Sequence, residues 1–260
     1  MDVNTEAEIR KIFSEMRGLL TSYQEMGLDP PPVSADVLNI SMTSEPMPVR
    51  RPAPASPRAE ETKDRAVVPD RAALLEALRE RIGDCQRCKL HKGRTHLVFG
   101  EGSPEARLVF IGEGPGHEED MAGRPFVGES GRLLTQIIEK GMGLTRKDVY
   151  ICNVVKCHPP KNRDPEKDEI EACIPFLKEQ LQIIGPQVIC SLGRVAGQAL
   201  LSTGFRMTAE RGTWRSYLGI PLMPTFHPAY LLRNPSAKRL VWEDIKQIMV
   251  RMGLEVKSHG

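Results

Sequence analysis

The sequence predicts an α/β fold, a mostly parallel sheet covered on both faces by helices. Two observations carry this. From Arg71 onward, helical stretches alternate with short, wholly apolar runs, the pattern of strands buried between helix layers. Three of those runs end in unusual polar sets, GEGPGHEED, NVVKCHPP and FHPAYLLRNP. Ligands of such sheets bind beyond the carboxyl ends of the strands, so the three endings predict one site on one edge.

The elements follow in order. Residues 1–26 hold an amphipathic helix, with Ile9, Ile12, Phe13, Met16, Leu19 and Leu20 at helical spacing. It is read either as a docking peptide for a protein partner or as a flap that packs on the core. Residues 27–69 are rich in proline and poor in large apolar side chains; such a stretch cannot offset its ordering entropy and is expected to be a disordered linker. The domain proper spans 70–257. RAALLEALRERI opens it as a helix with Leu74, Leu75, Leu78 and Ile82 on one face, and ARLVFIGEG is a buried strand. GESGRLLTQIIEKGM is a helix and DVYICNVVKC a strand. PEKDEIEACIPFLKEQLQII begins with Pro165 and early acids, both helix-start signals. QVICSLG is a strand, RVAGQALL a short helix, TWRSYLG and IPLMPTFHP a hairpin or neighbouring strands, and SAKRLVWEDIKQIMVRM the closing helix.

Composition narrows the function. The 260 residues are 40% hydrophobic and 27% charged, ordinary for a chain with a core. Aromatics are only 5%, which argues against an aromatic-rich stacking surface. The 36 Lys and Arg against 34 Asp and Glu leave a net charge of +2. A histone-like polycation is excluded, and any nucleic-acid contact must come from local basic loops. No apolar run approaches the roughly 18 residues of a membrane span, and MDVNTEAEIRK lacks a signal-peptide pattern. The expectation is a soluble, cytoplasmic protein.

Six cysteines in such a chain argue against a disulfide framework. Cys152 and Cys190 lie inside apolar strands and read as packing residues. Cys85 and Cys88 form C-x-x-C, Cys157 follows a strand, and Cys173 sits in a helix, each beside polar residues. These four can close a four-sulfur site, and their spacing alone leaves zinc and an iron–sulfur cluster both open. The glycines of GEGPGHEED follow G-x-G-x-G rather than the dinucleotide spacing, and Glu118, Glu119 and Asp120 would repel a pyrophosphate. They fit better a backbone that lets a flat ligand approach closely. Phe126, bounded by glycine turns in GRPFVG, suits a ring that covers such a ligand.

Together, GEGPGHEEDMAGRPFVGESGRLL, NVVKCHPPKNRDP, EACIPFL and HPAYLLRNP resemble the family 4 uracil-DNA glycosylases, in order, over about residues 71–252. The resemblance implies a three-layer α/β/α sandwich around a four-stranded mostly parallel sheet. It also implies a [4Fe–4S] cluster on Cys85, Cys88, Cys157 and Cys173, and removal of uracil from DNA in base-excision repair, which adds a nucleoid association to the cytoplasmic expectation. A monomer acting on uracil-containing DNA is expected. The cluster is expected to be structural, tying the first helix to the basic loop after Cys157.

The chemistry assigns roles by that resemblance. The base must leave the stack, and negative charge on the departing uracil must be stabilised. His227 is placed by the resemblance to hydrogen-bond uracil O2, the alternative being a capping or turn residue before Pro228. Asn153 is expected to read the uracil edge, accepting from N3–H and donating to O4, the opposite of what cytosine presents. Phe126 would stack on the ring, with the backbone of Gly112 and Gly114 along the base. Glu113 is a candidate to position water or stabilise the sugar cation; Gly114 stands where better-known family 1 enzymes carry an Asp. Tyr230, Leu231, Leu232 and Arg233 resemble the wedge that enters the duplex, with core packing the equal alternative for the two leucines. Lys161 and Arg163, with Lys156, Lys238 and Arg239, are expected near phosphates. Two competing readings are a non-catalytic metal-cluster module that binds nucleic acid, and a relative that traps uracil-DNA covalently. The short run from Cys157 to Asp164 lacks the inserted basic segment of such trapping relatives.

Overall fold

A computed structural model describes residues 70–256; the expectations for the N-terminal helix and the Pro-rich linker lie outside the described residues. The chain opens with helix α1 (Arg71–Ile82), whose N-cap Asp70 accepts hydrogen bonds from the Ala72 and Ala73 N–H groups. Strands β1 (Glu101–Gly102) and β2 (Leu108–Gly112) follow, then helices α2 (His117–Ala122) and α3 (Glu129–Gln136). A π-helical turn at Ile137–Gly141 extends α3. Next come β3 (Tyr150–Asn153), α4 (Lys167–Ile184), β4 (Val188–Leu192), α5 (Arg194–Leu200) and α6 (Met207–Glu210). The hairpin β5 (Arg215–Tyr217) and β6 (Ile220–Thr225), then α7 (Pro228–Arg233) and α8 (Lys238–Arg251), complete the fold.

The sheet order is β1-β3-β2-β4-β6-β5. The central four strands are parallel, and β1 and β5 pair antiparallel at the two edges. The expectation of four strands is therefore corrected to six. Of the two edge strands, β5 is the first arm of the hairpin read in TWRSYLG–IPLMPTFHP, whereas β1 is two residues long, too short to leave a periodic apolar signal.

Side chains along the central strands alternate between two cores, as a pleated sheet covered on both faces requires. Val109, Ile111, Cys152 and Ile189 face α1, α4 and α5. Leu108, Phe110, Ile151 and Cys190 face α3, α7 and α8. All five residues of β2 are buried. Cys152 and Cys190 sit in these cores as packing residues. On α1 the buried stripe is Leu75, Leu78 and Ile82, while Leu74 points outward at 43% exposure.

Strand order reverses at β2: the chain steps to β3 on one side and then crosses to β4 on the other. A crevice at the carboxyl edge follows from that reversal. Among the described residues no helix is long and apolar enough to cross a membrane.

Candidate active site

A cleft of about 470 Å³ opens at that edge, lined among others by Glu113, Gly114, Phe126, Asn153, His227, Tyr230 and Arg233. The ends of β2, β3 and β6 thus deliver the three polar sets to one place.

Asn153, the last residue of β3, is 2% exposed, and its Oδ1 has no hydrogen-bond partner. An unpaired buried amide oxygen costs about 1–3 kcal/mol, so the site is built around an acceptor that waits for a donor. Its neighbour across the sheet is Gly112. A Cβ there would collide with Asn153 Oδ1 and come within 2.6 Å of Phe126 Cζ. Gly112 is thus what lets the amide and the ring share one floor. Gly114 differs: its absent Cβ faces Val155, at 2.7 Å from Cγ2, while its backbone lines the cleft.

Phe126 takes a positive φ of 52°, rare for a bulky residue. The flanking peptides hold it there. Arg146 donates to the Pro125 and Phe126 carbonyls at 2.8 and 3.1 Å. Glu119 Oε1 accepts from the Val127 and Gly128 N–H groups, both at 2.9 Å. The same helix places Asp120 to accept from the Thr95 and His96 N–H groups. In the sequence Glu118, Glu119 and Asp120 read as a barrier to phosphate. Two of them are buried loop clamps, and the capacity of a carboxylate for several N–H donors was the signal that could have found them.

His227 ends the chain leaving β6 and caps α7: its Nδ1 accepts from the Ala229 N–H at 3.1 Å. In the neutral ring that bond leaves the proton on Nε2. Burial pushes the imidazole pKa down to about 4, the Arg233 charge adding to this and Glu119 opposing it. The ring is therefore a neutral donor at physiological pH, 5.5 Å from the Phe126 ring centroid. The turn-capping and site roles of this histidine are one arrangement. Thr225, two residues earlier, is tied to Asp244 of α8, which also pairs with Arg211, so the strand end that carries His227 is fixed from behind.

Glu113 follows β2. Burial, with the nearby Asp164 carboxylate, pushes its pKa up to about 7, Arg194 opposing. It therefore titrates in the neutral range, where proton transfer is useful.

The expected DNA contacts divide. Tyr230 and Arg233 are exposed at the cleft, and Leu232 is half-buried beside them. Leu231 is 1% exposed and packs in the core, so it does not project as a wedge; the helix Pro228–Arg233 turns it inward. Lys161 is exposed with a left-handed φ of 57°. Arg163 lines the cleft, but its guanidinium forks onto buried Glu169 at 2.6 and 2.8 Å, so it holds its loop rather than standing free. Lys156 is 1% exposed and cannot reach a phosphate. Lys238 and Arg239 are exposed at the start of α8.

Cys85, Cys88, Cys157 and Cys173 line one small cavity between α1 and α4. N–H donors reach three of the sulfurs: Arg87 Nη1 to Cys85 at 3.4 Å, Arg94 Nη1 to Cys157 at 3.2 Å, and the Lys156 amide to Cys173 at 3.3 Å. Burial pushes the Cys173 thiol up to about 11 and raises Cys157 as well. Among the described residues no group of three or more His, Cys, Asp or Glu converges on a single-ion position. A four-sulfur donor set with N–H groups aimed at the sulfurs fits a thiolate-bound cluster.

The family model described as the uracil DNA glycosylase superfamily matches residues 99–246. The chain belongs to that superfamily. It is similar to the Type-4 uracil-DNA glycosylase of Thermotoga maritima, 49% identical over 181 residues, which cover 68% of this chain and 94% of the relative. It is 46% identical over 184 residues to the Type-4 uracil-DNA glycosylase of Sulfurisphaera tokodaii, covering 67% and 83%. The Type-5 uracil-DNA glycosylase of Thermus thermophilus is more distant, 31% identical over 173 residues, covering 59% and 77%. The superfamily match spans every strand from β1 to β6 and both ends of the cleft.

Proposed function

We propose that the chain is a monofunctional uracil-DNA glycosylase that extrudes deoxyuridine from DNA and hydrolyses its N-glycosidic bond, leaving an abasic site. The orphaned Asn153 Oδ1 carries the reading. Uracil offers N3–H between two carbonyls, so Oδ1 accepts that proton and the amide NH₂ donates to O4. Cytosine offers a bare N3 and an amino group, which leaves both ends of the amide unmatched.

The remaining residues act on the breaking bond. Phe126 and the Gly112 backbone form the apolar wall against which the flat base rests. As the C1′–N1 bond lengthens, negative charge gathers on uracil O2, and the Nε2–H of neutral His227 donates to it. Because the ring is already neutral, it donates that hydrogen bond without giving its proton away. Water adds to C1′ and releases a proton, which Glu113, as its carboxylate, is placed to take. Tyr230, Leu232, Arg233 and Lys161 face the DNA, the charged pair toward phosphates.

Cys85, Cys88, Cys157 and Cys173 would hold a [4Fe–4S] cluster, whose contribution is structural: it joins the segment after α1 to the loop that lines the cleft. Iron and acid-labile sulfide assays on the purified protein test that part.

The activity is tested by incubating the protein with a labelled strand carrying one uracil, in EDTA, followed by alkali. Cleavage at the uracil alone is expected. A strand that stays intact while the protein binds DNA regardless of uracil would replace this reading with that of a binding module. A complex that survives denaturing electrophoresis would replace it with covalent trapping.

A further inference from the structure

Lys156 is among the largest fully buried side chains, 1% exposed. Its ammonium donates to the Asn153 carbonyl at 2.9 Å and to Gln180 Oε1 at 2.6 Å. Among the described residues no carboxylate lies within ion-pair distance of it. An ammonium taken out of water without a counter-charge costs several kcal/mol, so this cation needs an explanation that the cleft does not supply. The same residue lines the four-cysteine cavity, and its backbone N–H donates to Cys173 Sγ.

The first of those bonds bears on uracil recognition. The Asn153 carbonyl and the Val154 N–H belong to one peptide unit. The Val154 N–H donates to the Gly112 carbonyl at 2.9 Å, and Lys156 grips the other side. A peptide pinned at both ends fixes ψ of Asn153, and with it the direction in which the side-chain amide leaves the strand. Gln180 completes the support from α4, donating through Nε2 to the Phe99 carbonyl and the Tyr150 hydroxyl.

We infer that Lys156 is a positioning residue shared by the two sites: it orients Asn153 toward uracil, and its buried charge is balanced by the thiolates of the four-cysteine centre. This rests on the reading that the four cysteines carry an iron–sulfur cluster. A cluster held by four thiolates is anionic, and its potential responds to nearby charge and to hydrogen bonds on sulfur. The arrangement would make the metal centre the electrostatic reason that a lysine can sit behind the uracil-reading residue at all.

The test uses Lys156→Met, which keeps length and removes charge, and Gln180→Met, which leaves the ammonium but removes one partner. Wild-type protein is first assayed for iron and sulfide; failure to load would end the cluster reading independently of anything Lys156 does. In loaded protein, Lys156→Met is expected to move the cluster's reduction potential to more negative values, because removal of a positive neighbour disfavours the added electron. It is also expected to lower kcat for uracil excision about tenfold, the equivalent of about 1.4 kcal/mol, with binding to abasic DNA unchanged. Gln180→Met is expected to reduce kcat by a smaller factor while leaving the potential in place. A Lys156→Met protein that keeps the wild-type potential, or excises uracil at the wild-type rate, would overturn the proposal. If Lys156→Met does not fold, the Gln180→Met result decides: a shifted potential, or an unchanged kcat, would overturn it.

Discussion

Replacing Glu113 with Gln removes an ionisable group from the cleft while keeping its shape. The folded protein holds the Glu113 proton more tightly than an unfolded chain does, its pKa standing at about 7 against 4.5. The penalty for this carboxylate is therefore absent below pH 4.5, grows between 4.5 and 7, and is complete above 7. A rise of that size corresponds to about 3 kcal/mol. The side chain is partly open to solvent, which screens the effect to about 1–2 kcal/mol. Glu113→Gln should thus be more stable than the parent at pH 8 by about that amount and nearly equal to it at pH 4.5, as read by urea denaturation at the two pH values. Excision should show the complementary cost. In the parent, single-turnover rates should climb through pH 7 as the carboxylate forms, and in the variant they should be low and flat. The two curves together separate a catalytic carboxylate from a buried structural one. A stability difference that is the same at both pH values, or a variant with the parent's pH–rate profile, would refute the reasoning.

Asn153→Asp should lower uracil excision by roughly two orders of magnitude and let cytosine in DNA react detectably; unchanged uracil turnover on paired substrates would take Asn153 out of the recognition step. His227→Ala should cut kcat by about 10²–10³ with little change in affinity for abasic DNA, and equal losses in both would make it a DNA-positioning residue instead. In the parent, the acid limb should show no inflection between pH 5 and 6, because His227 with a pKa of about 4 stays neutral there. Gly112→Ala should lower the melting temperature, overpacking of this kind costing about 1–3 kcal/mol, and should abolish excision, since the new methyl strikes both Asn153 and Phe126; full activity would mean that the base does not rest on this floor.

Much of the fold was legible because buried strands and amphipathic helices leave strong periods. The runs LVFIG, YICN and VICSL are strands in the structure, and the TWRSYLG–IPLMPTFHP stretch is a hairpin. What escaped was short or polar. HEEDMA forms helix α2, yet its acids suggested charge repulsion rather than N–H acceptance, because a sequence does not display which backbone donors will lie nearby. The resemblance to a DNA wedge covers Tyr230 to Arg233 alike, but Pro228 at the first helical position and the capping His227 make the segment a helix, which turns Leu231 inward. Lys156 beside the basic loop reads as a cation near phosphates, since most lysines are exposed; only the tertiary structure brings Gln180 and the Asn153 carbonyl to its ammonium. Asn153 stands out in the sequence because an amide inside an apolar strand is out of place by local rules, whereas His227 before proline is an ordinary capping position and is singled out by the family resemblance alone.

The bond from the Ala229 N–H to His227 has an implication for how the protonation pattern is inherited. A tautomer chosen by a neighbouring carboxylate can be lost by one substitution at that neighbour. Here the choice is made by a main-chain hydrogen, which every residue except proline supplies at position 229. The proton on Nε2 is thus written into the backbone of a single helical turn, and drift in the surrounding side chains leaves it in place.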